Sequence, residues 1–292
     1  MNIGITKKKN AYTPEAYAYK NYLEKYGCQI QFDYEDNLDP NNDINIFFMG
    51  IRPFWNREKG NAIEIHEYQS LSTGSYPKLK NYIKKVVNIK PNKRIFLNEN
   101  VHKGFCFQDS IPFIYRDMGV DSSFFNLKKN IEPEYDIVYC GSISGRVGLV
   151  DAIIKLSSQY KIIVIGSIEK EVYSLFEKAG IVMTGRIDRK FIPEIYAKCK
   201  YGLNYTPDIY PYNIQTSTKT LEYLASGLEV ISNRYYWAED FCLRNNISFH
   251  WYNNMEIIFS STIDNDLSVI KNYEWNNVLE RIKFLDYIKA DK

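Results

Sequence analysis

Two parallel-sheet α/β domains of the doubly wound, Rossmann-like kind are predicted by three observations: chain length, an alternation of short apolar runs with helical patterns, and a restart of that alternation at residue 135. At 292 residues the chain exceeds what one hydrophobic core usually serves, since domains cluster at roughly 100–150 residues. Strand-like runs alternating with helix-like stretches are the mark of βαβ units, which build parallel sheets covered by helices.

In the first half the β-branched and aromatic runs predict strands at Asn2–Thr6, Gln29–Phe32, Ile44–Phe48, Ala62–His66 and Arg94–Leu97. Between the first two, Ala16, Tyr19, Leu23 and Tyr26 recur at spacings of three and four, which predicts a helix over about 14–26 with one apolar face. A second helix over about 77–87 carries Lys78, Lys80, Lys84 and Lys85. The polar stretch Asn126–Glu134, closed by Pro133, reads as a boundary. The predicted division is a first domain over 1–116, a linker over 117–134, a second domain over 135–272 and a terminal helix over 273–292.

From Tyr135 the pattern runs strand 136–140, glycine turn, helix to 158, strand 161–165, Gly166, helix to 179, strand 181–184 and Gly185. It continues through a helix over about 189–198, strand 201–205, a polar loop, helix 217–225 with Gly227 as its C-cap, and strand 228–232. Val278, Ile282, Leu285 and Ile288 share one face of a last helix over about 275–288.

Composition narrows the partners. With 45% hydrophobic and 25% charged residues the sequence is globular, and no apolar run approaches the ~18 residues of a membrane helix. The first strand precedes its lysines, the reverse of a signal peptide, so a cytoplasmic location is expected, with peripheral contact at the inner membrane face as a further candidate. Cys28, Cys106, Cys140, Cys199 and Cys242 are scattered with no histidine at ligand spacing, so no metal is expected. A net charge of +2 argues against a nucleic-acid partner. Residues 1–116 hold 17 Lys and Arg against 12 Asp and Glu, and the remainder 20 against 23. A polyanionic or membrane-bound partner would therefore favour the first domain, where the basic stretch from Lys78 to Arg94, interleaved with Tyr82 and Ile83, could rest on anionic lipid; a solvated helix face is the alternative reading of the same stretch.

In open parallel sheets ligands sit beyond the carboxyl ends of the strands. In the second half the loops there contain Gly141-Ser142-Ile143-Ser144-Gly145-Arg146, Gly166-Ser167, Gly185-Arg186 and the polar segment leading to Ser217, Thr218 and Lys219. Glycines let backbone N–H groups approach an anion, helix N-termini add positive potential, and Arg146, Arg186 and Lys219 add charge, a set suited to a diphosphate. On the following helix Lys219 and Glu222, three apart, lie together near its start. A carboxylate there can accept two ribose hydroxyls while the cation meets phosphate. A solvated ion pair is the alternative reading of the same spacing.

The run Lys219-Thr220-Leu221-Glu222-Tyr223-Leu224-Ala225-Ser226-Gly227-Leu228-Glu229-Val230-Ile231-Ser232 resembles the donor-binding signature of glycosyltransferase family four. Met118-Gly119-Val120-Asp121 is similar to the segment that leads those enzymes into their donor domain. Thr184-Gly185-Arg186 followed by Ile192–Ala197, and Trp275 at the terminal helix, agree in order and spacing over about 115–290. The resemblance implies the GT-B arrangement, two Rossmann-like domains facing across a cleft, with the terminal helix returning to the first domain. It implies a metal-independent, retaining transfer of a sugar from a UDP- or GDP-sugar donor to a glycan or lipid-linked acceptor, in bacterial surface polysaccharide assembly, with no further cofactor. Glu222 would hold the ribose, and Gly141, Ser142, Ser144, Arg146, Gly185, Arg186, Ser217, Thr218 and Lys219 the diphosphate side, with Lys219 and Gln215 also catalytic.

The sequence departs from that pattern at three places. Ile214-Gln215 stands where the family carries its first glutamate, Ser142 where many members carry arginine, and Arg146 one position short of their lysine. Competing readings are a GT-B-shaped nucleotide- or glycan-binding protein without turnover, and a nucleotide-sugar epimerase. In the first half, the loop from Thr6 to Pro14 and the strand end at His66-Glu67 are the acceptor-side candidates, His66 as general base, with Glu67 and Glu99 as further carboxylates. His66 also fits a structural role. Asp264-Asn265-Asp266 reads as a solvated turn rather than a metal motif.

Overall fold

In a computed structural model, which describes residues 1–8, 13–56, 60–128, 130, 132–253, 256–259, 263 and 265–290, the chain forms two α/β units. One comprises Met1–Gly119 with Glu274–Lys292, the other Val120–Tyr273. Each is built on its own sheet.

In the first unit the elements run β1 (Asn2–Thr6), α1 (Pro14–Lys25), β2 (Gln29–Asp33), β3 (Ile44–Phe48), β4 (Ile63–Tyr68), α2 (Pro77–Val87), β5 (Lys93–Phe96), α3 (Glu99–Phe105) and β6 (Phe113–Tyr115). The strands pair in parallel in the order β2-β1-β3-β4-β5-β6. Ile3 and Ile5, Ile44 and Ile46, and Ile65 and Ile95 are buried, alternating along their strands as the two-residue period requires. Helix α1 seats Ala16, Tyr19 and Leu23 in this core, and its last predicted position, Tyr26, is instead an exposed C-cap.

The second unit runs β7 (Tyr135–Cys140), α4 (Leu149–Ser157), β8 (Ile162–Ile165), α5 (Lys170–Lys178), β9 (Val182–Gly185), α6 (Ile192–Tyr196), β10 (Cys199–Asn204), α7 (Thr218–Ala225), β11 (Glu229–Asn233), α8 (Tyr236–Asn245), β12 (His250–Asn253) and β13 (Glu256–Ile258). Its sheet has the order β13-β12-β11-β10-β7-β8-β9, parallel except for the β12/β13 pair. The order reverses between β7 and β10: from β7 the chain proceeds outward through β8 and β9, then returns to β10 on the other side. Such a switch point is where loops from neighbouring strands diverge and leave a crevice.

Three local expectations are corrected. The helix predicted over 189–198 begins as a single 3-10 turn at Arg189–Phe191 and is α-helical only over α6, whose second residue is Pro193, a ring without the N–H that continued helix would use. The last helix is two, α9 (Trp275–Arg281) and α10 (Phe284–Lys289), because Lys283 adopts a left-handed conformation at φ 50°. That break lets Phe284 pack on Tyr19, with ring centroids 4.4 Å apart, in the first unit. Finally, β4 does not end at His66 but continues to Tyr68.

Candidate functional site

The loops that follow β7 and β10 and the start of α7 border a cavity of about 250 Å3. Arg146, Gln215, Ser217, Thr218 and Lys219 line it, joined by Thr206, Tyr212 and Thr216. Five of the residues expected to hold the donor or act on it thus come to one place. No carboxylate is among the lining residues, whereas two cations are.

A buried polar chain positions the start of α7. Asn204, the last residue of β10, donates through Nδ2 to Ser232 Oγ and Tyr235 OH, both at 3.0 Å. Ser217 Oγ donates to Asn204 Oδ1 at 3.0 Å, and Thr220 Oγ1 donates to Ser217 Oγ at 2.9 Å. Ser217 is the N-cap residue, but its hydroxyl is spent on Asn204 and makes no capping bond to the helix. The first N–H groups of α7 therefore keep their hydrogen-bonding capacity and their share of the helix dipole.

The cations are held by neutral groups. Arg146 Nη1 donates to the Tyr205 carbonyl at 3.2 Å and to Thr206 Oγ1 at 3.4 Å. Lys219 Nζ donates to Tyr139 OH at 3.4 Å and lies 4.5 Å from the centre of that ring. Burial, reinforced by the Arg146 guanidinium, holds the Lys219 ammonium well below the usual lysine range. Burial pushes the Tyr139 phenol up to about 12, so it stays neutral beside the lysine. A half-buried cation facing a second cation across a cavity is stabilised by an arriving anion.

The glycine loop after β7 borders this cavity and a second one of about 260 Å3, lined by Ile143, Ser144, Gly145, Arg146 and Glu169 among others. Tyr139 OH donates to the Ser142 carbonyl at 2.8 Å, and Ser144 Oγ to Glu169 Oε1 at 2.5 Å. Gly141 at φ +139° and Gly166 at φ +146° pack so closely that a Cβ on Gly166 would lie 2.3 Å from the Gly141 carbonyl oxygen.

Other predicted residues go elsewhere. Gly185 and Arg186 line neither cavity; Arg186 is exposed and its Nε donates to Ser167 Oγ at 2.5 Å. Lys219 and Glu222 take separate partners: Glu222, 3% exposed, forms an ion pair with Arg189. Burial raises the Glu222 carboxyl and the Arg189 charge opposes that rise. Arg189, which also lies 5.1 Å from the Phe124 ring centre, was not legible beforehand, because its pairing with a residue 33 positions away exists only in the fold. Asn204 and Tyr139 were missed for the same reason.

In the first unit His66 is wholly buried in the middle of β4, rather than at the strand end expected of an acceptor-side general base. Its Nε2 is 3.5 Å from Glu64 Oε2, and burial lowers its pKa, leaving a neutral imidazole. Glu67 is equally buried, bonded to Arg116 at 2.6 Å and to Tyr19 OH at 2.5 Å. Glu99 is an exposed first-turn residue of α3 paired with Lys103. Residues 9–12 of the Thr6–Pro14 loop, and Asp264 of the Asp-Asn-Asp segment, lie outside the described residues. Among the described residues no group of His, Cys, Asp and Glu could hold a metal ion, and no helix is long and apolar enough to cross a membrane.

No family model and no curated protein matches the chain in sequence. Solved structures do match in shape. AviGT4, a glycosyltransferase involved in avilamycin A biosynthesis, is similar over 99% of this chain and 98% of its own, at 9% identity and a TM-score of 0.64. Anabaena Alr3699/HepE in complex with UDP-glucose is similar over 98% and 99%, at 12% identity and a TM-score of 0.64. WaaG, a glycosyltransferase involved in lipopolysaccharide biosynthesis, is similar over 99% and 92%, at 10% identity and a TM-score of 0.57. At such identities the likeness is one of fold: this chain has the two-unit Rossmann-like fold of these glycosyltransferases.

Proposed function

We propose that the chain is a glycosyltransferase whose second unit binds a nucleoside diphosphate sugar at the start of α7 and whose first unit receives a glycan or lipid-linked acceptor. The observation that carries this is the cavity in which Arg146 and Lys219 converge on an uncapped helix N-terminus with no carboxylate among its lining residues. Such a site complements a diphosphate, and the same groups can stabilise the charge that grows on a departing nucleoside diphosphate without a metal ion. The fold shared with a protein bound to UDP-glucose supports a UDP-sugar donor. Glu222 is our candidate for the ribose hydroxyls, which requires them to share or displace Arg189. Gln215, its amide nitrogen buried without a partner, is our candidate contact to the transferred sugar. Retention of configuration, the phosphate role of Arg186, a cytoplasmic setting and a place in bacterial surface polysaccharide assembly rest on the sequence resemblance.

Calorimetric titration with UDP, GDP and their sugars, followed by transfer assays over an acceptor panel, tests the reading. Nucleotide binding in the micromolar to millimolar range is expected, weakened strongly in Glu222→Ala with the fold intact. Failure of every nucleotide to bind removes the proposal. Binding without transfer would favour the accessory-protein reading, and sugar conversion without an acceptor would favour the epimerase.

A further inference from the structure

Helix α2 is inverted with respect to its own amphipathicity. Leu79, Tyr82, Ile83 and Val86, spaced i, i+3, i+4 and i+7, form the single apolar stripe of a helix, which ordinarily faces a core. Here they are 55%, 61%, 43% and 56% exposed. The only buried residue of α2 is polar: Asn81, whose Oδ1 accepts the Ser72 backbone N–H at 2.9 Å. At 100° per residue the lysines flank the stripe on both sides, Lys80 and Lys84 on one and Lys78 and Lys85 on the other.

The surface continues past the helix. Asn88, its C-cap, accepts the Arg52 backbone N–H at 2.8 Å and donates to the Gly50 carbonyl at 3.2 Å, tying down the segment that exposes Ile51, Phe54 and Trp55. Lys84 is half-buried, and both burial and the nearby charges of Lys8 and Lys80 lower its pKa. A counter-anion would relieve that crowding.

We infer that α2 and the adjoining 51–55 segment form a docking surface for an anionic lipid bilayer, the stripe entering the interface and the flanking lysines meeting the headgroups. An apolar strip between two rows of cations, with Trp55 and Tyr82 among its exposed rings, has the chemistry of an interfacial helix. A second copy is a poorer occupant, because a two-fold contact through α2 sets each copy's lysines against the same lysines. The inference does not depend on glycosyl transfer.

Co-sedimentation of the full chain with vesicles of phosphatidylcholine alone and with added phosphatidylglycerol tests it. Binding to the anionic vesicles, reduced by salt, is expected. Ile83→Ser with Val86→Ser should lower partitioning by more than about tenfold, and each of Lys78→Ala and Lys80→Ala by about fivefold. These exposed positions leave the thermal midpoint unchanged. Absence of binding to anionic vesicles overturns the inference, as does equal binding to both vesicle types or undiminished binding of the serine variant. A concentration-dependent dimer in gel filtration that the serine variant abolishes would assign the surface to a second copy and overturn it too.

Discussion

Two charged regions, one in each unit, treat their cations in opposite ways. In the first, Arg116 is enclosed by Glu67 at 2.6 Å and Glu15 at 3.8 Å, with Tyr19 completing the shell and Trp275 5.1 Å away. All of these groups are buried, and cation meets carboxylate. In the second, Arg146 and Lys219 meet only a carbonyl, hydroxyls and a tyrosine ring, and they border a cavity. A charge paired inside the protein fixes structure, whereas a charge left facing a cavity without its complement calls for that complement from outside. The contrast explains why His66 and Glu67, equally reactive residue types, are poor candidates for chemistry here: their surroundings are already saturated or closed.

The comparison breaks most visibly at Arg116. Arg116→Met leaves two carboxylates buried without their cation and should cost about 3–5 kcal/mol of stability, read as a lower denaturant midpoint with the nucleotide-binding residues untouched.

Lys219→Met should do the reverse, raising the thermal midpoint of the ligand-free protein because a poorly solvated cation is removed, while weakening diphosphate binding by about ten- to a hundredfold, the worth of one charged hydrogen bond. The sign of the pH dependence follows from the lowered Lys219 pKa. The free lysine loses its proton below the usual range, a bound diphosphate raises that pKa, and between the two values binding takes up a proton. Affinity should therefore fall as pH rises through this window, and calorimetry in buffers of differing ionisation enthalpy should register the uptake; no uptake would place Lys219 outside the site.

A smaller effect is expected of Tyr139→Phe, which detaches Lys219 and the Ser142 carbonyl from a shared hydroxyl. A loss of about 1 kcal/mol in nucleotide affinity, with stability nearly unchanged, would sharpen the view that this phenol serves the site rather than the core.

Five strands of each sheet and the start of α7 were legible in the sequence because their signals are local, periods of two and 3.6 and glycines at strand ends, whereas the short strands β6, β12 and β13 and the helices α3 and α8 were not predicted. The partnerships were not legible. Nothing near Glu222 announces Arg189, and nothing near Lys219 announces Tyr139, since each pair is joined only when separate strands and helices assemble. Burial was illegible for a related reason. The run around His66 alternates as an edge or end would, yet in the fold β4 lies inside the sheet and the rings of Phe47 and Tyr68 and the Glu64 carboxylate surround the imidazole. The helix break at Lys283 also had no local cause, for lysine neither requires nor favours a left-handed backbone.

Where the chain leaves the first unit and where it comes back are neighbours: the Val120 backbone N–H donates to the Tyr273 carbonyl at 2.7 Å. A Cβ on Gly119 would fall 2.3 Å from the Trp275 ring, so the residues flanking that junction already touch. The second unit is thus an insertion with its entrance and exit side by side. A gene splice joining Gly119 to Glu274 would span almost no distance and preserve the first unit's aromatic packing, whereas simple truncation after Gly119 would strip Trp275 and Phe284 from Tyr19. Dissection of this protein should follow the splice, not the linear order of its sequence.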